Sequence, residues 1–233
     1  MGGAVATGSA PAPAGAVIRR RGDLIAAGVG LGVYLMSAVV ASSEAVPALE
    51  QDLFHLVNGL PDWLRGIAYP VQLLGVLVAP FVLAGVAALL RLWRLALALA
   101  VLPVLKYAVE YGVVKQTVVR ARPFQSVCAE DPSCGQFRDV PLYGPAFVSG
   151  HAIIAGAVAV VLLPYLGQRW RAVVVLLALA VALARVYLGA HNPLDVVGGI
   201  AVGVVVGSLI NLAVGVPEGP PARGATDQPR VRP

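Results

Sequence analysis

The chain has 233 residues, of which 58% are hydrophobic and only 12% charged, far more apolar surface than one water-soluble core of this length encloses. Its formal charge of +5 is scattered between apolar runs, with no block of lysine and arginine interleaved with aromatics, which excludes nucleic acid as a partner. A spanning helix takes about 20 apolar residues, so several such runs fill the chain, and one embedded domain of an integral membrane protein is expected.

Residues 1–23 read as a disordered tail: the first 18 are rich in glycine, alanine and proline without periodic pattern, and Arg19-Arg20-Arg21 follows. The apolar run from Leu24 to Ala41 reads as the first transmembrane helix. A signal segment ending at Val39-Val40-Ala41 is the alternative, disfavoured because the run exceeds the roughly 7–15 residues of a signal core. Residues 42–69 mix acids with apolar residues, carry Trp63 and are broken by Pro47 and Pro61. That suits a segment lying along the membrane interface, where tryptophan is a common anchor, and His55 is expected to be interfacial with it. Further spans are expected at 71–90, 95–114, 149–166, 172–188 and 194–215. The fold class is therefore all-α, a polytopic bundle of six helices from 24 to 215, with 216–233 a second disordered tail.

Orientation follows from lysine and arginine, which concentrate in cytoplasmic loops. With the amino terminus in the cytoplasm, Arg19, Arg20, Arg21, Arg91, Arg94, Arg169, Arg171, Arg223, Arg230 and Arg232 are cytoplasmic, as are both tails. Arg65, Lys115, Arg120, Arg122, Arg138 and Arg185 lie opposite, a ten-to-six bias in the usual direction. The opposite-side loop from Lys115 to Val148 contains Cys128 and Cys134, and oxidising conditions there favour a disulfide between them.

The chemistry gathers on that side. Arg185-Val-Tyr-Leu-Gly-Ala-His191-Asn-Pro-Leu-Asp195 holds a histidine and a carboxylate four residues apart. On a helix that spacing shares one face, so Asp195 is expected to hydrogen-bond one ring nitrogen of His191 and leave the other free to attack. An unperturbed imidazole titrates near pH ~6.5 and is mostly neutral at physiological pH, and neutral imidazole forms covalent intermediates. Taken alone, the pattern is also that of an ordinary ion pair at a helix end. Lys115 and Arg122-Pro123, however, mark the end of the third span, Ser149-Gly150-His151 opens the fourth, and Arg185 and Asp195 flank the turn between the fifth and sixth. Alternating spans bring all of them to one membrane surface.

Lys115 to Pro123, Ser149-Gly150-His151, and Arg185 to Asp195 resemble the three motifs of the type 2 phosphatidic acid phosphatase (PAP2) superfamily. The resemblance implies the six-helix PAP2 bundle and an integral lipid phosphatase of the cell membrane whose site faces the extracytoplasmic side. It implies a lipid phosphate or diphosphate as substrate, of the polyprenyl diphosphate, phosphatidic acid, phosphatidylglycerol phosphate or phosphorylated glycolipid type. His191 is then the nucleophile, Asp195 its orienting partner, and His151 the acid that protonates the departing oxygen and the base that later activates water. Lys115, Arg122, Ser149, Gly150 and Arg185 bind phosphate. The chemistry agrees: charge grows on the equatorial oxygens during phosphoryl transfer, so fixed cations and N–H donors are the main resource. Arginine matches two oxygens with its planar fork, and a helix N-terminus is a ready anion site. Only three histidines occur, and His55 has no ligand-spaced partner, so neither a metal nor another cofactor is expected.

Two positions depart from the motifs. Val148 stands where proline is usual and is expected to loosen the start of the fourth span, and Ala184 stands where serine is usual and removes a hydroxyl. Arg120 falls outside the matched positions and reads as a solvated neighbour. Lys106 and Glu110, four apart in the third span, read as an ion pair that softens a costly burial, the alternative being a polar floor to the pocket. Phosphoryl transfer to a second lipid or sugar, and a catalytically silent lipid-binding or transport protein, are the competing functions.

Overall fold

The computed structural model describes residues 17–43 and 45–218, so the tail residues 1–16 and 219–233 lie outside the described residues. Nine α-helices follow in order within that part: α1 (Arg21–Ala41), α2 (Ala48–Asn58), α3 (Arg65–Gln72), α4 (Ala79–Leu89), α5 (Trp93–Val109), α6 (Lys115–Thr117), α7 (Gly150–Leu162), α8 (Gln168–Tyr187) and α9 (Pro193–Val214). Helices α5 and α6 are one rod joined by a π turn at Glu110–Val114. Residues 17–23 and 216–218 are ordered, contrary to the tail boundaries read from composition. The two-residue strands Val17–Ile18 and Val216–Pro217 pair antiparallel, and the Arg94 guanidinium donates to the Val214 carbonyl 2.5 Å away.

Among the described residues, four helices are long and apolar enough to cross a membrane: α1, the α5–α6 rod from Trp93 to Thr117, α8 and α9. The continuous span expected at 71–90 is not continuous. Asp62–Gly75 and Ala79–Leu89 are two apolar segments bent by 67°. Proline supplies the cause, since Pro80 in the first turn of α4 has no N–H to carry the preceding helix onward. Packing supplies the other, because a Cβ on Gly75 would lie 2.7 Å from the carbonyl oxygen of His151. The break therefore seats the end of the α3 segment directly on α7. The span expected at 149–166 is a shorter apolar helix, Gly150–Tyr165. Residues 42–69 contain α2, a 3₁₀ turn at Asp62–Leu64, and the start of α3.

Helices α7 and α9 form the centre of the bundle. Gly199, Gly203 and Gly207 recur every four residues on α9, the small-residue stripe that lets membrane helices approach backbone to backbone. Cβ atoms built on Gly199 and Gly207 would fall 2.7 and 2.8 Å from the carbonyl oxygens of Ser149 and Ala157 on the α7 side. Leu99, Leu102, Phe147, Ile153, Val161 and Val206 fill the rest of the core and are fully buried. On this geometry Gly207→Val is expected to cost about 1–3 kcal/mol through overpacking, read as a lower unfolding temperature in detergent. An unchanged unfolding temperature would mean the two helices have room to part.

The loop between α6 and α7 is pinned at its edge. Arg138 is buried and donates to the carbonyls of Asn58 (3.0 Å) and Tyr187 (2.5 Å), and its guanidinium lies 4.1 Å from the Tyr187 ring centroid. Cys128 and Cys134 are joined by a disulfide, with Cα atoms 5.5 Å apart.

Candidate active site

The close contact of α7 with α9 sets the N-termini of both helices side by side, and the site is built at that junction. Helix α8 ends at Tyr187, and Gly189 turns the chain at φ +78°, where a Cβ would lie 2.5 Å from the Gln136 carbonyl. Only glycine fits so tight a left-handed turn. His191 and Asn192 follow, and α9 starts at Pro193, whose missing N–H costs nothing at a helix start.

His191 and Asp195 come together by a route other than the expected one. His191 precedes α9, so the two do not share a helix face. Asp195 turns back instead and accepts the Asn192 N–H at 2.8 Å, the local arrangement of a helix cap. Its Oδ2 stands 3.6 Å from Nδ1 of His191, within ion-pair range but beyond a hydrogen bond. The other carboxylate oxygen accepts from Arg120 at 3.1 Å. Arg120 is thus no solvated neighbour: it is 7% exposed and grips both oxygens of Glu50, at 2.9 and 2.6 Å. Neither Glu50 nor this role of Arg120 was legible from spacing, since 70 residues separate them. The available signal was parity, because Arg120 and Arg122 alternate with Ala121 in extended chain and so share a side.

His191 is 3% exposed. Burial, and then the guanidinium groups of Arg185 and Arg122 and the ammonium of Lys115, hold its pKa well below the ordinary imidazole value. The ring is therefore neutral at physiological pH. It lines a cavity of about 460 Å³ together with His151 and the cations Lys106, Lys115, Arg122 and Arg185. Arg122 is anchored by donating to the carbonyls of Tyr143 (3.0 Å) and Ala190 (2.8 Å). Arg185 is buried and held by Gln72 of α3, whose side-chain oxygen accepts from it. The bent α3–α4 pair thereby reaches the site, which sequence reading missed because Gln72 sits inside what looked like an apolar span.

Both readings of Lys106 and Glu110 hold at once. They form an ion pair one turn apart, and they floor the cavity. Lys115 joins them, its ammonium 3.1 Å from Glu110 and 4.8 Å from the Tyr111 ring centroid. Gly150 faces this cluster, where a Cβ would meet the Glu110 carboxylate at 2.9 Å and the Lys106 ammonium at 3.0 Å.

Ser149 is placed differently from its expected role as a phosphate donor. Its N–H donates to the Asp195 carbonyl at 2.9 Å, and its fully buried hydroxyl has no partner among the described residues. Gly150, the next residue, lines the cavity. Val148 is fully buried at the start of α7, with a methyl group 2.9 Å from a Cβ built on Gly198. Ala184 is buried too. His55 is exposed on α2, edge-on to Phe54.

Long apolar helices around a cavity of cations and two histidines define a helical membrane protein with a cationic cavity. The chain belongs to the PAP2 superfamily, whose family model matches residues 91–216. Among solved structures it is similar to Aquifex aeolicus LpxE, with 26% identity over 70% of this chain and 95% of that one, at a TM-score of 0.57. It shares the fold of the first transmembrane PAP2 type phosphatidylglycerolphosphate phosphatase from Bacillus subtilis, with 21% identity over 79% of this chain and 94% of that one, at a TM-score of 0.51. No curated protein sequence matches. By family it is a phosphoric ester hydrolase, in a mostly helical membrane fold.

Proposed function

We propose that the chain hydrolyses a phosphate monoester or diphosphate of a membrane lipid through a phosphohistidine, without metal. The observation that carries this reading is an adjacency: the cationic cavity shares two wall residues, Leu73 and Val76, with an apolar groove of about 520 Å³ between the bent α3–α4 pair, α7 and α8. A molecule with a phosphate at one end and hydrocarbon at the other fits that pair of spaces. Lys115, Arg122 and Arg185 neutralise the phosphate oxygens, with Gly150 at the α7 N-terminus. Neutral His191 attacks phosphorus while His151 gives a proton to the departing lipid oxygen. Asp195 steadies the imidazole as it turns cationic. Water then attacks the phosphohistidine with His151 as base, releasing phosphate and restoring His191.

The chain is read as crossing the membrane six times, counting the bent pair and the shorter α7 helix each as one span. The site then opens on the extracytoplasmic face of the cell membrane with both tails in the cytoplasm. The Cys128–Cys134 disulfide supports that orientation, because such bonds persist in oxidising surroundings. Phosphate release from a panel of lipid phosphates by purified protein in EDTA tests the function. Release from at least one lipid is expected, and silence across the panel, or release that requires added metal, would sink the reading.

The groove makes a separate prediction. Ala159 and Ala178, both nearly buried on its wall, have room beside them that a large side chain would take. Ala178→Phe is expected to raise KM for a long-chain lipid phosphate about tenfold, since excluding a few methylenes forfeits about 0.8 kcal/mol each. Turnover of a short-chain ester should be unaffected. Equal losses on both substrates would mean the hydrocarbon lies elsewhere.

A further inference from the structure

Two charged groups beside Asp195, Glu50 and Arg120, have no place in the reaction above and are buried. Glu50 is 4% exposed, Arg120 7% and Asp195 0%. The three come from α2, the segment after α6, and α9. Arg120 divides its N–H groups between both oxygens of Glu50 and one oxygen of Asp195. Glu50 also accepts the N–H of Leu194, in the first turn of α9, at 2.8 Å. One carboxylate from α2 thus holds both the guanidinium that touches Asp195 and the backbone of the first turn of α9, three residues after His191. A buried ion triad of this kind adds little net stability once desolvation is counted, so stability alone does not account for it.

We infer that Glu50 and Arg120 are positioning residues for the reaction, acting through Asp195 on His191. Two effects follow from the geometry. Arg120 and the Asn192 N–H fix the carboxylate of Asp195 from two directions, which leaves its Oδ2 directed at the ring. Glu50 also balances the charge. Arg120 alone would cancel Asp195, whereas two carboxylates and one guanidinium leave one negative charge beside an imidazole that must become cationic on phosphorylation. Glu50 lies outside residues 91–216, the part matched by the family model, so this device is supplied by the chain's own α2 helix.

The inference rests on the phosphohistidine reading, and the test separates the two. Glu50→Gln keeps the size of the side chain and an acceptor for Leu194 N–H but removes the charge. Loss of a charge-assisted hydrogen bond predicts a fall in kcat of roughly ten- to hundredfold on a short-chain lipid phosphate. KM should stay within about twofold because phosphate binding is not touched. The unfolding temperature in detergent is expected to fall, since buried Arg120 loses a charged partner, and rates are therefore compared well below it. Arg120→Lys keeps the charge without the fork and should lower kcat in the same way, which decides the matter if Glu50→Gln fails to fold. A fall in kcat below about fivefold in the folded variant, or a change in KM or unfolding temperature that accounts for the lost rate, would overturn the inference while leaving the phosphatase reading intact. A wild-type protein that releases no phosphate would overturn that reading, and this one with it.

Discussion

Replacing His191 with alanine is expected to abolish phosphate release, by a factor on the order of 10⁴ or more, as removal of a covalent nucleophile does elsewhere. No substitute stands ready. Ser149 has its hydroxyl buried away from the cavity wall, and His151 is assigned to proton transfer, so neither replaces the lost nitrogen. The wild type should also form a phosphoenzyme that survives alkaline but not acid quenching, and the variant should form none. Rate measurements across pH add a check on the same residue. Because burial and three cations hold His191 neutral well below the usual imidazole range, its attacking form persists as pH falls. Between about pH 7.5 and 6, kcat/KM should not decline through His191 protonation. A variant that retains more than about one hundredth of wild-type activity would remove the histidine from the mechanism.

Arg185→Lys is expected to lower kcat by roughly 10²- to 10³-fold, although the positive charge survives. The guanidinium of Arg185 is buried at the end of α8, and Gln72 already holds one of its N–H groups, so the fork has one orientation. A lysine ammonium offers no fork and cannot keep the Gln72 bond and bracket two phosphate oxygens together. Gln72→Leu should then produce a smaller loss, about tenfold, by letting the fork turn. Steady-state kinetics on one lipid phosphate distinguish the cases. Full activity in Arg185→Lys would show that only charge, not geometry, is asked of this position.

Much of the site was visible as spacing. Lys115, Arg122, Gly150, His151, Arg185 and His191 line one cavity, as the three motifs and alternating spans implied. Their partners were not visible, because each comes from a segment whose local pattern announces something else. Gln72 lies in an apolar run that Pro80 and Gly75 break. Glu50 belongs to a short helix that reads as an interfacial segment, and Arg120 looked like one more basic residue near a membrane surface. The Asp195 contact differs from the spacing expectation for a related reason: His191 lies before the start of α9, where a cap and not helix periodicity governs the geometry.

Composition and hydropathy determine by themselves that this chain is built for a membrane, and the resemblance of its three motifs points to a phosphatase family, to which the chain belongs. Both depend only on local identity, and neither needs a distance between remote residues. Tertiary structure alone decides which buried charges neutralise one another, since the cost of an unpaired charge away from water must be met by whatever group packing brings within reach. The glycine stripe of α9 sets that reach by drawing α7 to backbone contact. Through it, Ser149 is tied to the Asp195 carbonyl, and Asp195 to Arg120 and Glu50.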